Sequence, residues 1–218
     1  MAKDTQLEIS ELFYSIQGES SFAGYPCFFI RFTGCNLRCT YCDARYTYEE
    51  PGSPYSVEQL LAEVEQYPDV LVEITGGEPL LQEGVYPLLD KLLQTGRTVL
   101  LETNGSLSLE RVPEKVIKIV DVKCPDSGMH DKMELGNFAV LTPTDEIKFV
   151  ISSRQDYDFA KENISIHNLL GKIKLSFSPV TDRLAPYDLA RWMMDDRLPV
   201  RLQLQLHAIL WPEKKRGY

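Results

Sequence analysis

The sequence predicts an α/β fold, a mostly parallel sheet curved into an open, partial TIM-like barrel, read as a single domain over residues 1–218. Three observations predict it. Short β-branched or aromatic runs alternate with helical patterns, the connections between them are short, and seven such runs fit within 218 residues. Strand–helix alternation implies parallel pairing through right-handed crossovers. A closed eightfold barrel takes about 250 residues, so the expected barrel is incomplete.

Strands are expected at Cys27–Thr33, Val70–Thr75, Thr98–Glu102, Val116–Val122, Glu146–Ile151, Lys172–Phe177 and Val200–Leu206. Pro54 and the capping box Ser56-Val57-Glu58-Gln59 open a helix that runs to about Gln66. Val85, Leu88, Leu89, Leu92 and Leu93 repeat at helical spacing with one apolar face, and Gly96 closes that helix. Two more helices are expected at Arg154–Asn163 and Ala185–Asp195. Loops leaving the C-terminal ends of parallel strands build sites. The cysteine cluster follows the first strand, Thr75-Gly76-Gly77-Glu78-Pro79 the second, Thr103-Asn104-Gly105 the third and Lys123-Cys124-Pro125 the fourth. Four motifs therefore share one rim.

Composition narrows the function classes. A net charge of −9 argues against nucleic acid, which needs clustered Lys and Arg. Lys214-Lys215-Arg216 reads as a solvated tail. No apolar stretch is long enough to span a bilayer, and Met1–Ser10 lacks the apolar segment of a signal peptide. A cytoplasmic, reducing location is the expectation, and there a cysteine cluster reads as a metal or catalytic site and not as a disulfide framework.

Three of the five cysteines, Cys35, Cys39 and Cys42, form a C-x3-C-x2-C loop. Three thiolates directed at one centre suit an iron–sulfur cluster, whose fourth iron stays open for a ligand. The competing reading is zinc completed by His130, His167 or His207, none of which stands in a paired metal-binding spacing. Cys27 and Cys124 lie in other segments. On the same rim, Gly-Gly lets backbone approach a ligand, although alone it is a turn signal. Asn104-Gly105 is likewise a turn pair, and Asp121 with Lys123 also reads as a surface ion pair.

The cysteine spacing, with Tyr41 before the last cysteine, resembles the signature of radical S-adenosylmethionine enzymes. The resemblance implies a [4Fe–4S] cluster on Cys35, Cys39 and Cys42. It also implies S-adenosylmethionine bound at the open iron and cleaved reductively to a 5′-deoxyadenosyl radical. Carried over, the cofactor residues are Tyr41, Cys42 and Asp43, then Gly77 and Glu78, of which the Gly-Gly-Glu-Pro loop takes the methionine amino group. Thr103 and Asn104 follow, with Asp121, Val122, Lys123 and Ser178 from later strand ends. An electron donor such as a flavodoxin or ferredoxin is expected with this chemistry.

Phe13-Tyr14-Ser15-Ile16-Gln17-Gly18-Glu19, followed by Phe29-Ile30-Arg31-Phe32-Thr33-Gly34-Cys35, resembles the 7-carboxy-7-deazaguanine synthases. The resemblance runs from about Leu7 to the end of the chain. It implies conversion of 6-carboxy-5,6,7,8-tetrahydropterin to 7-carboxy-7-deazaguanine with loss of ammonia, in queuosine and 7-deazapurine biosynthesis, by a homodimer. Substrate residues carried over are Ile16, Gln17, Gly18, Glu19, Arg31 and Thr75. Alternation puts Phe28, Ile30 and Phe32 on one strand face and Phe29 with Arg31 on the other. Arg31 then suits the pterin carboxylate, against the alternative of an exposed arginine on an edge strand.

One residue departs from the family pattern. The hydroxyl residue that ligates Mg²⁺ after Cys-Asp is Ala44 here, followed by Arg45. A methyl group cannot ligate Mg²⁺, which leaves the magnesium requirement open and makes Arg45 a candidate source of the missing charge. In the tail, His207 reads as a core or interface histidine, and Tyr218 receives no role. Two other functions share the cysteine spacing or the metal: a radical enzyme that activates a partner protein, and a non-catalytic zinc module.

Overall fold

Period-two alternation in the first segments determines which side of the sheet becomes the helix-packed core and which becomes the lumen. The computed structural model describes residues 6–213 and 216–217. Residues 1–5, Lys214, Lys215 and Tyr218, and with them most of the expected basic tail, lie outside the described residues. Strands β1 (Leu7–Ile16) and β2 (Pro26–Phe32) form an antiparallel hairpin, and β3 (Ser53–Tyr55) pairs on the outer side of β1. From β2 the sheet continues in parallel through β4 (Leu71–Gly76), β5 (Val99–Thr103), β6 (Ile117–Val122), β7 (Glu146–Ile151), β8 (Lys174–Pro179) and β9 (Arg201–Leu202). The order β3-β1-β2-β4-β5-β6-β7-β8-β9 describes an open sheet, with seven parallel strands and two antiparallel ones.

The helices are α1 (Tyr46–Glu49), α2 (Val57–Glu65), α3 (Val85–Gln94), α4 (Arg154–Ile166), α5 (Pro186–Asp195) and α6 (Leu206–Leu210). Of these, α2 to α5 pack on one face of the sheet, while α1 and α6 lie beside a cavity. The expected capping box forms: Ser56 Oγ accepts from Gln59 N–H at 3.2 Å while Gln59 Oε1 accepts from Ser56 N–H at 2.8 Å. Leu88, Leu89 and Leu92 of α3 are fully buried in the same core as Phe28, Ile30, Phe32, Val72 and Ile74. Each such side chain contributes about 1.5–3 kcal/mol by leaving water. None of the described helices is long and apolar enough to cross a membrane.

Two expectations need correction. β1 is absent from the expected strands because a register shift between Ile9 and Glu11 breaks its alternation. Leu7 and Ile9 join the helix-packed core, whereas Phe13, at the same parity, joins Cys27 and Phe29 on the opposite face. One extra residue in a strand reverses the facing of all that follow. The strand expected over Val200–Leu206 shrinks to Arg201–Leu202. Gln203 N–H still donates to Phe177 O at 2.8 Å, but Leu206 N–H donates to Gly18 O at 3.0 Å, so the chain leaves β8 for the β1–β2 loop and turns helical.

Candidate active site

The four rim motifs are stitched together by backbone. Gly77 N–H donates to Phe32 O at 3.2 Å and Glu78 N–H to Gly34 O at 2.8 Å, which ties the Gly-Gly loop to the start of the cysteine loop. Gly76 sits at φ +137, and a Cβ on Gly77 would collide with Gly34 O and the Cys35 side chain. The second glycine is therefore needed for close approach and the first for its backbone conformation. Thr40 N–H donates to Ser127 O at 3.1 Å, and this fixes the far end of the cysteine loop to the segment after β6.

Below the rim lies a cavity of about 560 Å³. Its floor is the loop between β1 and β2, which enters the lumen from the N-terminal side of the strands and is pinned on several sides. Ser21 N–H and hydroxyl donate to Glu146, Arg201 donates to Ser20 O at 2.5 Å, and Gln205 donates to Glu19 at 2.8 Å. Gly18 packs so closely on His207 that a Cβ there would strike the imidazole.

The lumen wall is polar. Glu73, Thr75, Glu102, Asp121, Lys148 and Ser178 all line the cavity from successive parallel strands. Lys148 Nζ is the hub, at 2.6 Å from Glu19, 2.7 Å from Glu102 and 3.7 Å from Asp121. Burial alone would discharge Lys148, but Glu102 and Glu19 more than reverse this and hold it charged above its ordinary range. Burial alone would likewise raise Glu102, yet Lys148 and the Thr75 hydroxyl at 2.8 Å pull it down to about 2. Glu73, Glu102 and Lys148 were not among the expected site residues. Their signal was the interruption of each apolar run at every second position, as in Val72-Glu73-Ile74-Thr75, Leu101-Glu102 and Ile147-Lys148-Phe149. Parallel strands buried on both faces read as continuous apolar runs, so these interruptions mark a polar lumen.

The structure brings Cys35, Cys39, Tyr41, Cys42, Asp43 and Ala44 to the same cavity as Ile16, Gln17, Gly18, Glu19 and Arg31. Thr75, Gly77, Thr103, Asn104, Asp121, Lys123 and Ser178 also line it. Two expected residues do not. Glu78 is fully buried, and its carboxylate is occupied by Thr103 Oγ1 at 2.9 Å, Asn104 N–H at 2.8 Å and Leu80 N–H at 3.0 Å. It ties one rim loop to the next and has no face toward a ligand. Burial raises its carboxyl and those donors oppose the shift. Val122 points into the helix-packed core because it lies one residue off the lumen-facing Asp121. Arg31 is not on an edge: β2 lies between β1 and β4. Its Nε is 3.0 Å from Glu11, and among the described residues no group accepts a hydrogen bond from its terminal nitrogens.

The residues fit an iron–sulfur cluster and a bound sulfonium cofactor. Cys35 Sγ already accepts from Leu37 N–H at 3.4 Å and from Asn104 Nδ2 at 3.7 Å, bonds that stabilise a thiolate. Burial pushes the Cys39 thiol up to about 11, so ligation as thiolate must be driven by the charge of the iron. Asp121 Oδ1 and Tyr41 Oη are buried without a hydrogen-bond partner, and both residues line the cavity. Burial alone would lower Lys123, but Asp121 at 2.8 Å and Cys39 reverse the effect and keep it charged. His130 and His167 pack edge-on against Phe159 and Phe138. Among the described residues, no three His, Cys, Asp or Glu side chains gather around a single ion. The surroundings of Ala44 do not fit the magnesium of the family pattern. The nearby Thr47 hydroxyl donates to Ala44 O at 2.8 Å, and Arg45 is turned toward Thr40 O at 3.1 Å.

Residues 29–166 match the Radical SAM superfamily. Over 97% of its length the chain is 46% identical to a 7-carboxy-7-deazaguanine synthase of Koribacter versatilis, all of which is covered. Another 7-carboxy-7-deazaguanine synthase, from Chlorobaculum tepidum, is 46% identical with both chains fully covered. Among solved structures, QueE from Escherichia coli superimposes with a TM-score of 0.77 at 25% identity, covering 92% of this chain and 94% of that one. Streptococcus suis SuiB bound to S-adenosylmethionine shares the fold alone, with a TM-score of 0.53 at 14% identity over 78% of this chain and 44% of SuiB.

Proposed function

The chain belongs to the 7-carboxy-7-deazaguanine synthases of the Radical SAM superfamily, and from that premise we propose how its residues carry out the conversion of 6-carboxy-5,6,7,8-tetrahydropterin to 7-carboxy-7-deazaguanine with loss of ammonia. One observation carries the assignment of residues: a single cavity joins the three thiols on the rim to Arg31 and the Ile16–Glu19 loop below them. When bound, the cluster and S-adenosylmethionine supply the radical that takes hydrogen from the substrate.

Cys35, Cys39 and Cys42 hold the cluster. The backbone of Gly77, fixed against the cysteine loop, and the open acceptor Asp121 Oδ1 receive polar groups of the cofactor, while Lys123 balances the charge of Asp121. Arg31 pairs the pterin carboxylate through its terminal nitrogens, oriented by Glu11 on its Nε side. Thr75, Glu102 and the loop backbone face the heterocycle, whose amide and amino edges match acceptors and donors of this kind. The walls and floor keep water from the reacting carbon, and the fixed geometry holds it against the cofactor.

The whole chain acts, in this reading, as one domain and as a homodimer in the cytoplasm, with a flavodoxin- or ferredoxin-like protein giving the electron. The five free cysteines support a reducing compartment, and the family resemblance supports the dimer. The test is anaerobic reconstitution with iron and sulfide. Incubation with S-adenosylmethionine, reductant and 6-carboxytetrahydropterin follows, with products read by mass spectrometry. Formation of 7-carboxy-7-deazaguanine is expected. Release of 5′-deoxyadenosine without it points to another substrate, and zinc in place of iron overturns the reading.

A further inference from the structure

Gln17 was expected among the substrate residues, and the structure engages its side-chain amide within the protein. The residue is 3% exposed. Its Oε1 accepts from Glu19 N–H at 2.8 Å, and its Nε2 donates to Glu73 Oε2. Its backbone is also committed, N–H to Tyr25 O at 2.8 Å and O from Gly24 N–H at 2.8 Å. These bonds of Gln17 shape the loop Ile16–Glu19, and the floor of the cavity takes part of its form from that amide.

The amide is in turn held from across the lumen. Glu73 lies in the middle of β4, two residues before Thr75 and on the same lumen face, and it lines the cavity while only 3% exposed. Among the described residues it has no ion-pair partner, because the nearby ammonium of Lys148 is taken by Glu19 and Glu102. A buried carboxyl beside two carboxylates, with the cations of Lys148 and Arg31 engaged by other groups, favours the neutral acid. Its burial, then Glu102 and Glu19, raise it accordingly. A neutral carboxyl still accepts through its carbonyl oxygen, which is all that Gln17 Nε2 requires.

Resting on the pterin reading above, we propose that Glu73 is a positioning residue for the substrate: a wall-to-floor tie that fixes Gln17 and, through it, the Ile16–Glu19 backbone on which the heterocycle lies. It acts through Gln17 and not by direct attack on the substrate. Elsewhere the same loop is anchored by Glu19 to Lys148 and Gln205 and by Ser20 and Ser21 to Arg201 and Glu146, so without Glu73 the floor stays attached but its Gln17 side loses the tie to β4. The substrate then binds less well and sits less accurately against the cofactor. The second effect would show as uncoupling, because a radical without a well-placed substrate C–H would take its hydrogen atom from another donor, such as buffer or reductant, and leave as 5′-deoxyadenosine.

The experiment compares wild type, Glu73→Leu and Glu73→Gln as reconstituted, full-length enzymes. Leucine matches the volume and cannot accept, which strands a buried donor, and about a tenfold rise in KM for the pterin is the expected consequence. kcat should change less than KM, and the 5′-deoxyadenosine released per product should rise. Glutamine restores the acceptor and should bring KM back to within about twofold of wild type, because the tie needs an acceptor and not a charge. Glu73→Leu with the wild-type KM and coupling overturns the proposal, as does Glu73→Gln as impaired as Glu73→Leu. Should Glu73→Leu fail to hold its cluster, Glu73→Asp serves instead. It withdraws the carboxyl by one methylene, and a KM unchanged from wild type sinks the idea. A wild type that makes no 7-carboxy-7-deazaguanine refutes the pterin reading and this inference with it. A wild type that turns over while KM ignores Glu73 refutes this inference alone.

Discussion

Replacing Lys148 by methionine removes the cation at the centre of the lumen while nearly keeping its length. Two carboxylates at 2.6 and 2.7 Å, Glu19 and Glu102, lose their partner, and Asp121 at 3.7 Å loses part of its compensation. Breaking a buried pair costs about 3–5 kcal/mol. The Lys148 side chain is 6% exposed, but those of Glu19 and Glu102 are 16% and 27% exposed, so water reaches the orphaned charges and the lower end, about 3 kcal/mol, applies. The loss must depend on pH. Glu102 is held down to about 2 in the folded chain, from an ordinary 4.5, so its stabilisation is fully present above 4.5 and disappears as pH falls toward 2. Urea unfolding followed by circular dichroism, anaerobically at pH 7 and at pH 4, should show a large gap between variant and wild type that narrows at the lower pH. A loss below about 1 kcal/mol at pH 7, or a gap independent of pH, refutes the reasoning that Lys148 is the electrostatic keystone of the lumen.

Alanine at Cys35, Cys39 or Cys42 should abolish loading of the four-iron cluster, whereas alanine at Cys27 or Cys124, both fully buried, should leave iron content near wild type. Iron and sulfide analysis decides this, and normal loading after loss of a rim cysteine counts against the assignment. Turnover should change less than about twofold when Mg²⁺ is removed by chelation, since no hydroxyl stands at Ala44 to hold it; a strict requirement contradicts this. Glu73→Gln should be more stable than wild type at pH 8, with a difference that shrinks toward pH 5. The folded chain keeps the Glu73 proton after the unfolded chain has released it, so wild-type stability falls as pH rises above about 4.5. Thermal melts at the two pH values that show a constant difference would remove the case for a neutral Glu73.

The rim of this site was legible in the sequence because its chemistry is local. Three cysteines in eight residues and two adjacent glycines are contiguous, and each follows a strand whose apolar run is easy to see. The lumen was less legible because its chemistry is distributed, one side chain per strand, over residues as far apart as Glu19 and Lys148. Such a set has no spacing of its own; only the sheet brings it together. Its trace was the polar residue in the middle of each apolar run, which in an ordinary parallel sheet would leave a buried polar group without a partner. Here the groups partner one another across strands, Thr75 with Glu102, Glu102 with Lys148, Lys148 with Glu19, and the loop entering from below completes the set through Gln17 and Glu73. That closure explains why the Gln-Gly-Glu segment belongs with these strands. Gln17 and Glu19 each answer a carboxyl or ammonium on the wall, so a substitution in the loop and one in β4 or β7 disturb the same floor. The clearest consequence is energetic coupling: Gln17→Met combined with Glu73→Leu should raise KM no more than Gln17→Met alone, because the first change already cuts the tie that the second removes. Additive effects in that cycle would mean that Gln17 and Glu73 act on the substrate separately and not through one tie.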